Sequence, residues 1–206
     1  MVELFLSAFV TFFVVIDPPG CAPIFASLTS GAPASHRRTM ALRSTLVAAA
    51  ILFSFAIFGE AFLGALGISL DAFRVAGGVM LFLIALEMVF EKRTERRTHR
   101  AEDVKAHPEH EDVSIFPMAI PMIAGPGSIA SVMLLTARSQ GMTQSLIVLS
   151  ALAAVLLVNL GALLAATPLM KLLGYRVEVV ITRILGVVLA ALAAQFVIDG
   201  IKASFA

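Results

Sequence analysis

Asp17 lies near the middle of an otherwise apolar run and is followed directly by Pro18, Pro19 and Gly20. A charge at the centre of a membrane span costs at least about 2.5–3.5 kcal/mol on insertion scales, so such a carboxylate is functional by default. Two tasks are compatible here. The carboxylate can cap the half-helix beyond the break by accepting from its free N–H groups, and it can hold an ammonium group or a coupling cation. A second break of the same kind occurs at Ala124-Gly125-Pro126-Gly127, followed at once by Ser128, whose hydroxyl is a candidate ligand. Proline has no N–H, and its ring clashes with the preceding turn. Pro18 and Pro19 therefore free the carbonyls of Val14 and Val15, and Pro126 frees that of Met122. Beyond each break, N–H groups around Cys21 and Ala22, and around Ser128 and Ile129, lose their helical partners. Unpaired backbone at membrane depth must face protein or a wet cavity. Helix N-termini also carry partial positive charge and suit an anionic group such as a carboxylate. Asn159 and Gln195 lie inside later apolar runs, where they can line a pathway or bond across helices. The candidate substrate-binding residues are thus Asp17, Gly20, Cys21, Gly125, Gly127, Ser128, Asn159 and Gln195.

The elements that must carry these residues follow from composition. The chain has 206 residues, of which 59% are hydrophobic and 14% charged, against about 45–50% and 25% in an ordinary globular domain. Of the 29 charged residues, 13 fall between Glu91 and Asp112. The rest of the chain is too poor in charge for a soluble enzyme, a nucleic-acid binder or a disordered tail. Apolar windows fall at about 4–29, 42–66, 73–90, 115–137, 145–166 and 179–201. Each approaches the roughly 20 residues that a helical span needs, and none alternates as a barrel strand would. The expected fold is all-α, a polytopic membrane protein of six transmembrane helices. The single Cys21 cannot form an internal disulfide.

Side chains outside the spans set the orientation. The run from Leu4 to Ile16 has the length of a secretory signal, but it is preceded by Glu3 rather than Lys or Arg. It ends in proline, not at a small-residue cleavage site, so it reads as a retained, interrupted span. With six spans, twelve of the fifteen Lys and Arg residues fall on one side, at Arg37, Arg38, Arg43, the six of the charged loop, Lys171, Arg176 and Arg183. Arg74, Arg138 and Lys202 fall on the other. Positive charge marks the cytoplasmic side, which puts the loop at 91–114 in the cytoplasm and both termini outside.

The loop holds His99, His107, Glu109, His110, Glu111 and Asp112, types that suit a divalent metal. It is charged throughout, and Pro108 interrupts any helix that would align ligands, so a solvated linker is the default. No metal and no cofactor is expected. The chain has no nucleotide-binding loop, HExxH or Gly-x-Ser-x-Gly, so neither an enzyme nor an ATP-driven pump is indicated.

The breaks also reveal an internal echo. Ile16 through Gly20 matches Ile123 through Gly127, and Phe73-Arg74-Val75-Ala76-Gly77 matches Thr182-Arg183-Ile184-Leu185-Gly186. Two three-helix units, 1–90 and 115–206, joined by the 91–114 loop, account for both matches. An odd number of spans makes the second unit enter from the opposite face. Inverted repeats with equivalent helices broken at mid-membrane are a recurring plan of secondary transporters.

Taken together, several motifs resemble the MarC family of bacterial inner-membrane proteins, over essentially the whole chain. They are Val15-Ile-Asp-Pro-Pro-Gly20 with Pro23-Ile-Phe25, Phe73-Arg-Val-Ala-Gly-Gly78 with Leu81-Phe-Leu-Ile-Ala85, and Pro117-Met-Ala-Ile-Pro121. Ala124-Gly-Pro-Gly127, Arg183-Ile-Leu-Gly186 and Gln195-Phe-Val-Ile-Asp-Gly200 complete the set. The chain departs from the family pattern at Pro19, where many relatives carry another apolar residue, and at Cys21, where many carry an asparagine. The resemblance implies six spans, the bacterial inner membrane, and kinship with LysE-type exporters and with transporters of small neutral amino acids.

The expected function is a secondary transporter or exporter of a small amphipathic metabolite such as a neutral amino acid. The substrate carboxylate would meet the half-helix N-termini, and Asp17 would hold an ammonium group or a coupling proton or sodium ion. The lipid bilayer is the expected partner, a homo-oligomer is compatible with the sequence, and no nucleic acid is expected. A non-transporting membrane scaffold or assembly factor is the alternative. A passive channel is a lesser one, since the spans lack a continuous polar lining.

Overall fold

A computed structural model describes residues 1–106 and 112–205. The described residues form helices throughout: α1 (Val2–Ile16), α2 (Pro18–Leu28), α3 (Ala34–Ala65), α4 (Leu70–Val89) and α5 (Lys92–Ala106). After an irregular helical segment at Ser114–Ile123 come α6 (Pro126–Ala137), α7 (Gly141–Leu164) and α8 (Ala166–Ser204). Five runs are long and apolar enough to cross a membrane, with α1 and α2 counted together. The irregular segment and α6 make a sixth, bent by 52°. This is the all-helical six-span architecture that composition implied.

The first span is central. In its most apolar window 56% of residues are buried, against 22–39% in the four unbroken spans. Phe12, Ile16 and Phe25 of this span are fully enclosed, and Leu52, Leu81, Leu134 and Leu152 of the surrounding helices belong to the same core. The large apolar side chains that remain exposed, such as Leu46, Phe58 and Val187, lie on the outer helices, as lipid-facing surfaces require. α3 has 32 residues, about 48 Å at the usual helical rise. It therefore exceeds the hydrocarbon thickness of about 30 Å, and its first turns carry the polar run Ser35-His36-Arg37-Arg38.

α4 and α8 pack closely and run antiparallel. A Cβ on Gly78 would lie 2.9 Å from the Ala193 carbonyl, and one on Gly186 would lie 3.1 Å from that of Ala85. Only glycine permits this approach, the usual role of small residues between membrane helices.

The charged stretch differs from expectation. Lys92–Ala106 is a helix, rich in Lys, Arg, Glu and Ala, and Arg93 and Arg97 on one of its faces are buried. It is therefore not simply a solvated linker: four-residue spacing puts both guanidiniums on the face that packs against the broken helices. His107, Glu109, His110 and Glu111 lie outside the described residues. His99 faces Glu102 at 3.7 Å, both exposed. Asp112 accepts from Arg43 of α3 and from the Ser114 hydroxyl, and so ties α3 to the start of the irregular segment. Among the described residues, no three His, Cys, Asp or Glu side chains are grouped to hold a metal ion.

Candidate binding site between the helix breaks

The two breaks share a proline at the start of the following helix, yet their backbones end differently. At the first, Asp17 takes left-handed backbone angles (φ 61°, ψ 64°), a conformation that Asp tolerates better than most non-glycine residues. It closes α1 by donating its N–H to the Phe13 carbonyl at 2.9 Å. It then caps α2: its Oδ1 accepts from the Gly20 N–H at 3.1 Å, and its carbonyl accepts from the Cys21 N–H at 3.0 Å. Pro18 and Pro19 have no N–H to offer. The first turn of α2 is thus satisfied within the chain, and the expected free donors near Gly20 and Cys21 are not free. Cys21 is fully buried, with its thiol directed at the Ile16 carbonyl at 3.4 Å.

The second break is open. Gly125 precedes α6 in extended geometry and, having no side chain, gives it no cap. Pro126 is the first helical residue, and the first backbone bond of α6 is that of the Ile129 N–H to the Gly125 carbonyl at 3.0 Å. Among the described residues, nothing caps the N–H groups of Gly127 and Ser128. Upstream, cis peptide bonds precede Pro117 and Pro121, and Phe116 and Ile120 depart from helical angles. This irregular stretch brings the Pro121 carbonyl to within 2.4 Å of where a Cβ on Gly125 would sit, so the position accepts only glycine.

A cavity of about 240 Å³ opens at this second break, lined by Gly125, Gly127 and Ser128 together with Val15 and Ile84. Its remaining polar wall is the α5 face carrying Arg93, Arg96 and Arg97. Arg93 donates from Nη2 to the Val15 carbonyl at 2.8 Å and from Nη1 to the Met88 Sδ at 3.0 Å. The Val15 carbonyl is one of those freed by the prolines, so a cation from another helix satisfies the acceptor that the break creates. Arg97 donates to Asp17 Oδ2 at 2.9 Å, with side-chain exposures of 8% and 1%. Arg96, half-exposed, pairs in two bonds with Glu87 at 2.7 and 2.6 Å. Burial, reinforced by the neighbouring Arg97 charge, lowers the Arg93 guanidinium from the ordinary arginine range to about 10, which still leaves it cationic at neutral pH.

Of the residues singled out in the sequence, the structure places Gly125, Gly127 and Ser128 on the cavity wall. Asp17 and Gly20 reach it through Arg97, which spans from the first break to the second. Asp17 does not present a free carboxylate, since both oxygens have partners. Asn159 is fully buried in α7, and neither polar atom of its side chain has a hydrogen-bond partner among the described residues; it does not line the cavity. Gln195 is exposed on α8 and donates to Asp199 at 2.6 Å, and Asp199 also pairs with Arg138 at 2.6 Å. Gly78 packs between Ala193 and Val197, so Gln195 sits level with Gly78, six residues (about 9 Å of helix) from the cavity residue Ile84. Arg74, in the first turns of α4, pairs with Asp71, and Arg183, well inside α8, pairs with Glu91 just past the end of α4.

Sequence reasoning missed Arg93 and Arg97. Two signals pointed to them: their spacing of four residues on a helix-forming stretch, and the need of the buried Asp17 for a cation.

Comparison with known proteins agrees with this membrane architecture. The model of the MarC family integral membrane proteins matches residues 2–205. A UPF0056 membrane protein of Methanocaldococcus jannaschii is 36% identical over 200 residues, 97% of each chain. The UPF0056 membrane protein YvbG of Bacillus subtilis is 33% identical over 205 residues, covering 100% of this chain and 97% of its own. YhcE of Escherichia coli is 32% identical over 202 residues, covering 98% and 94%. No solved structure matches the chain.

Proposed function

Since the chain belongs to the MarC family of integral membrane proteins, with relatives in bacteria and archaea, we propose that it is a secondary transporter of a small metabolite carrying an anionic group. One observation carries the reading: the uncapped N-terminus of α6 and the buried guanidiniums of α5 converge on one cavity between two broken helices. Backbone donors at a helix start suit a carboxylate, and guanidinium groups bind one with directional, charge-assisted bonds. Small neutral amino acids, the class the family resemblance implies, present such a group, as do small organic acids. The cavity volume of about 240 Å³ corresponds to roughly eight waters at about 30 Å³ each, the size of a small metabolite.

Arg97 supplies the mechanical link. It lines the cavity at the second break and holds the capping carboxylate of the first. A substrate anion that draws Arg97 away from Asp17 weakens the cap of α2, so binding at one break loosens the other. The inverted-repeat plan is supported by α4 and α8, which carry the matched segments Phe73–Gly77 and Thr182–Gly186 and pack against each other antiparallel. Rocking one repeat against the other would then expose the cavity alternately, driven by a proton or sodium ion gradient. In this reading the chain sits in the bacterial inner membrane with α5 on the cytoplasmic side and both termini outside, following the Lys and Arg asymmetry.

The test is flux into proteoliposomes containing the purified chain, with radiolabelled small amino acids and organic acids. Saturable uptake above that of empty liposomes is expected. If none of these solutes moves under a proton or sodium gradient, the transporter reading fails and a structural role takes its place.

A further inference from the structure

We propose that the cavity at the second break selects a ligand of single net negative charge, a small carboxylate or oxyanion, over a zwitterion. This deepens the reading above and rests on it for movement across the membrane, not for binding.

The argument is a charge balance. Three guanidiniums line the cavity. Arg96 is matched by Glu87 and Arg97 by Asp17. Arg93 is not matched: its bonds run to a carbonyl and a thioether, both neutral, and among the described residues no carboxylate pairs with it. At 7% exposure it also lacks the water that would otherwise screen it. A buried charge is tolerated when paired, and one anion in the cavity completes this pairing. The open N–H groups of Gly127 and Ser128, which line the same cavity, add positive potential to it.

A zwitterion fits this balance poorly. Its carboxylate is well served, but its ammonium needs an acceptor, and both nearby carboxylates already carry an arginine. What the wall still offers is neutral: the Ser128 hydroxyl and the surrounding backbone. The ammonium would lie among three guanidiniums, where like charge repels it.

The experiment measures binding by calorimetry and thermal shift on the purified chain in lipid nanodiscs, using lactate, the phosphate monoanion, sulfate and alanine as probes. Lactate is expected to bind at least about tenfold tighter than alanine, a difference that one unmatched charge readily supplies. Arg93→Gln should abolish this preference and Arg93→Lys should keep it. Glu87→Gln, which frees a second cation at the cavity mouth, should shift preference toward the doubly charged sulfate. This last variant keeps the test decisive if Arg93→Gln does not fold. Alanine binding as tightly as lactate, or a Glu87→Gln variant with unchanged sulfate preference, overturns the proposal. If lactate binds with this pattern but does not cross proteoliposomes, the site stands and the transporter reading falls. If alanine is transported while lactate neither binds nor moves, the transporter stands and the site assignment falls.

Discussion

Arg97 of α5 donates to Asp17 at 2.9 Å across 80 residues of sequence, with both side chains buried. The pair joins the charged helix to the break in the central span, and its worth is best stated through what its loss would do. Removing one partner of a buried ion pair costs about 3–5 kcal/mol because the other charge is stranded. Asp17→Asn and Arg97→Gln should each lower the thermal midpoint by several degrees in detergent. The double variant should be more stable than the sum of the single losses implies. Additive losses in a double-mutant cycle would show that the two groups do not interact.

Gly20 tests the same pair sterically. A Cβ there would lie 2.2 Å from Asp17 Oδ2 and 2.8 Å from the Arg97 guanidinium. Gly20→Ala should cost about 1–3 kcal/mol, as overpacking does. Gly161 in α7 has nothing within 4 Å of its Cβ position, so Gly161→Ala should be neutral or stabilising by about 0.5–1 kcal/mol. Equal thermal midpoints for the two variants would contradict the crowded geometry at Gly20.

Arg96 and Glu87 provide a contrast in stability. Their two bonds are short, but the arginine is half-exposed, and exposed pairs contribute only about 0–1 kcal/mol. Arg96→Gln should leave the midpoint nearly unchanged while altering anion affinity at the cavity mouth. A loss as large as that of Arg97→Gln would place Arg96 in a drier setting than the structure gives it.

The pH dependence follows from Arg93. Its pKa is lowered from the ordinary arginine range to about 10, so well below pH 10 it carries its proton both folded and unfolded and adds no slope to stability. Above pH 10, up to the ordinary arginine range, the unfolded chain holds the extra proton, so stability rises with pH in that window. Lactate, already ionised above pH 5, should therefore bind with constant affinity from pH 6 to about 9, and binding should weaken only as Arg93 discharges. Isothermal titration at pH 6, 7.5 and 9 checks this. A midpoint near 7 would assign the binding charge to a different group.

Topology is testable at α5. A single cysteine introduced at His99, which is exposed, in a Cys21→Ala background should react with a membrane-impermeant maleimide only when the cytoplasmic face is open. Labelling from outside intact cells would invert the orientation.

The sequence by itself determined what the bilayer imposes. Apolar runs of span length must be helices, because no water is present to satisfy other backbone, and the Pro18-Pro19 pair and Pro126, each set beside glycine, interrupt two of them. Both breaks, and with them Gly125, Gly127 and Ser128 as cavity-lining residues, were legible for that reason. The sequence could not tell which break is open. That depends on the Asp17 carboxylate turning back to cap its own helix, while Gly125 has no side chain with which to do the same. Nor could it show that a helix from the charged stretch turns in beneath the spans, because Arg93 and Arg97 look like any solvated cations until Val15 and Asp17 are placed beside them. Only the tertiary structure brought those groups together, and it did so because a buried carboxylate and a freed carbonyl each require a donor that their own helices cannot supply.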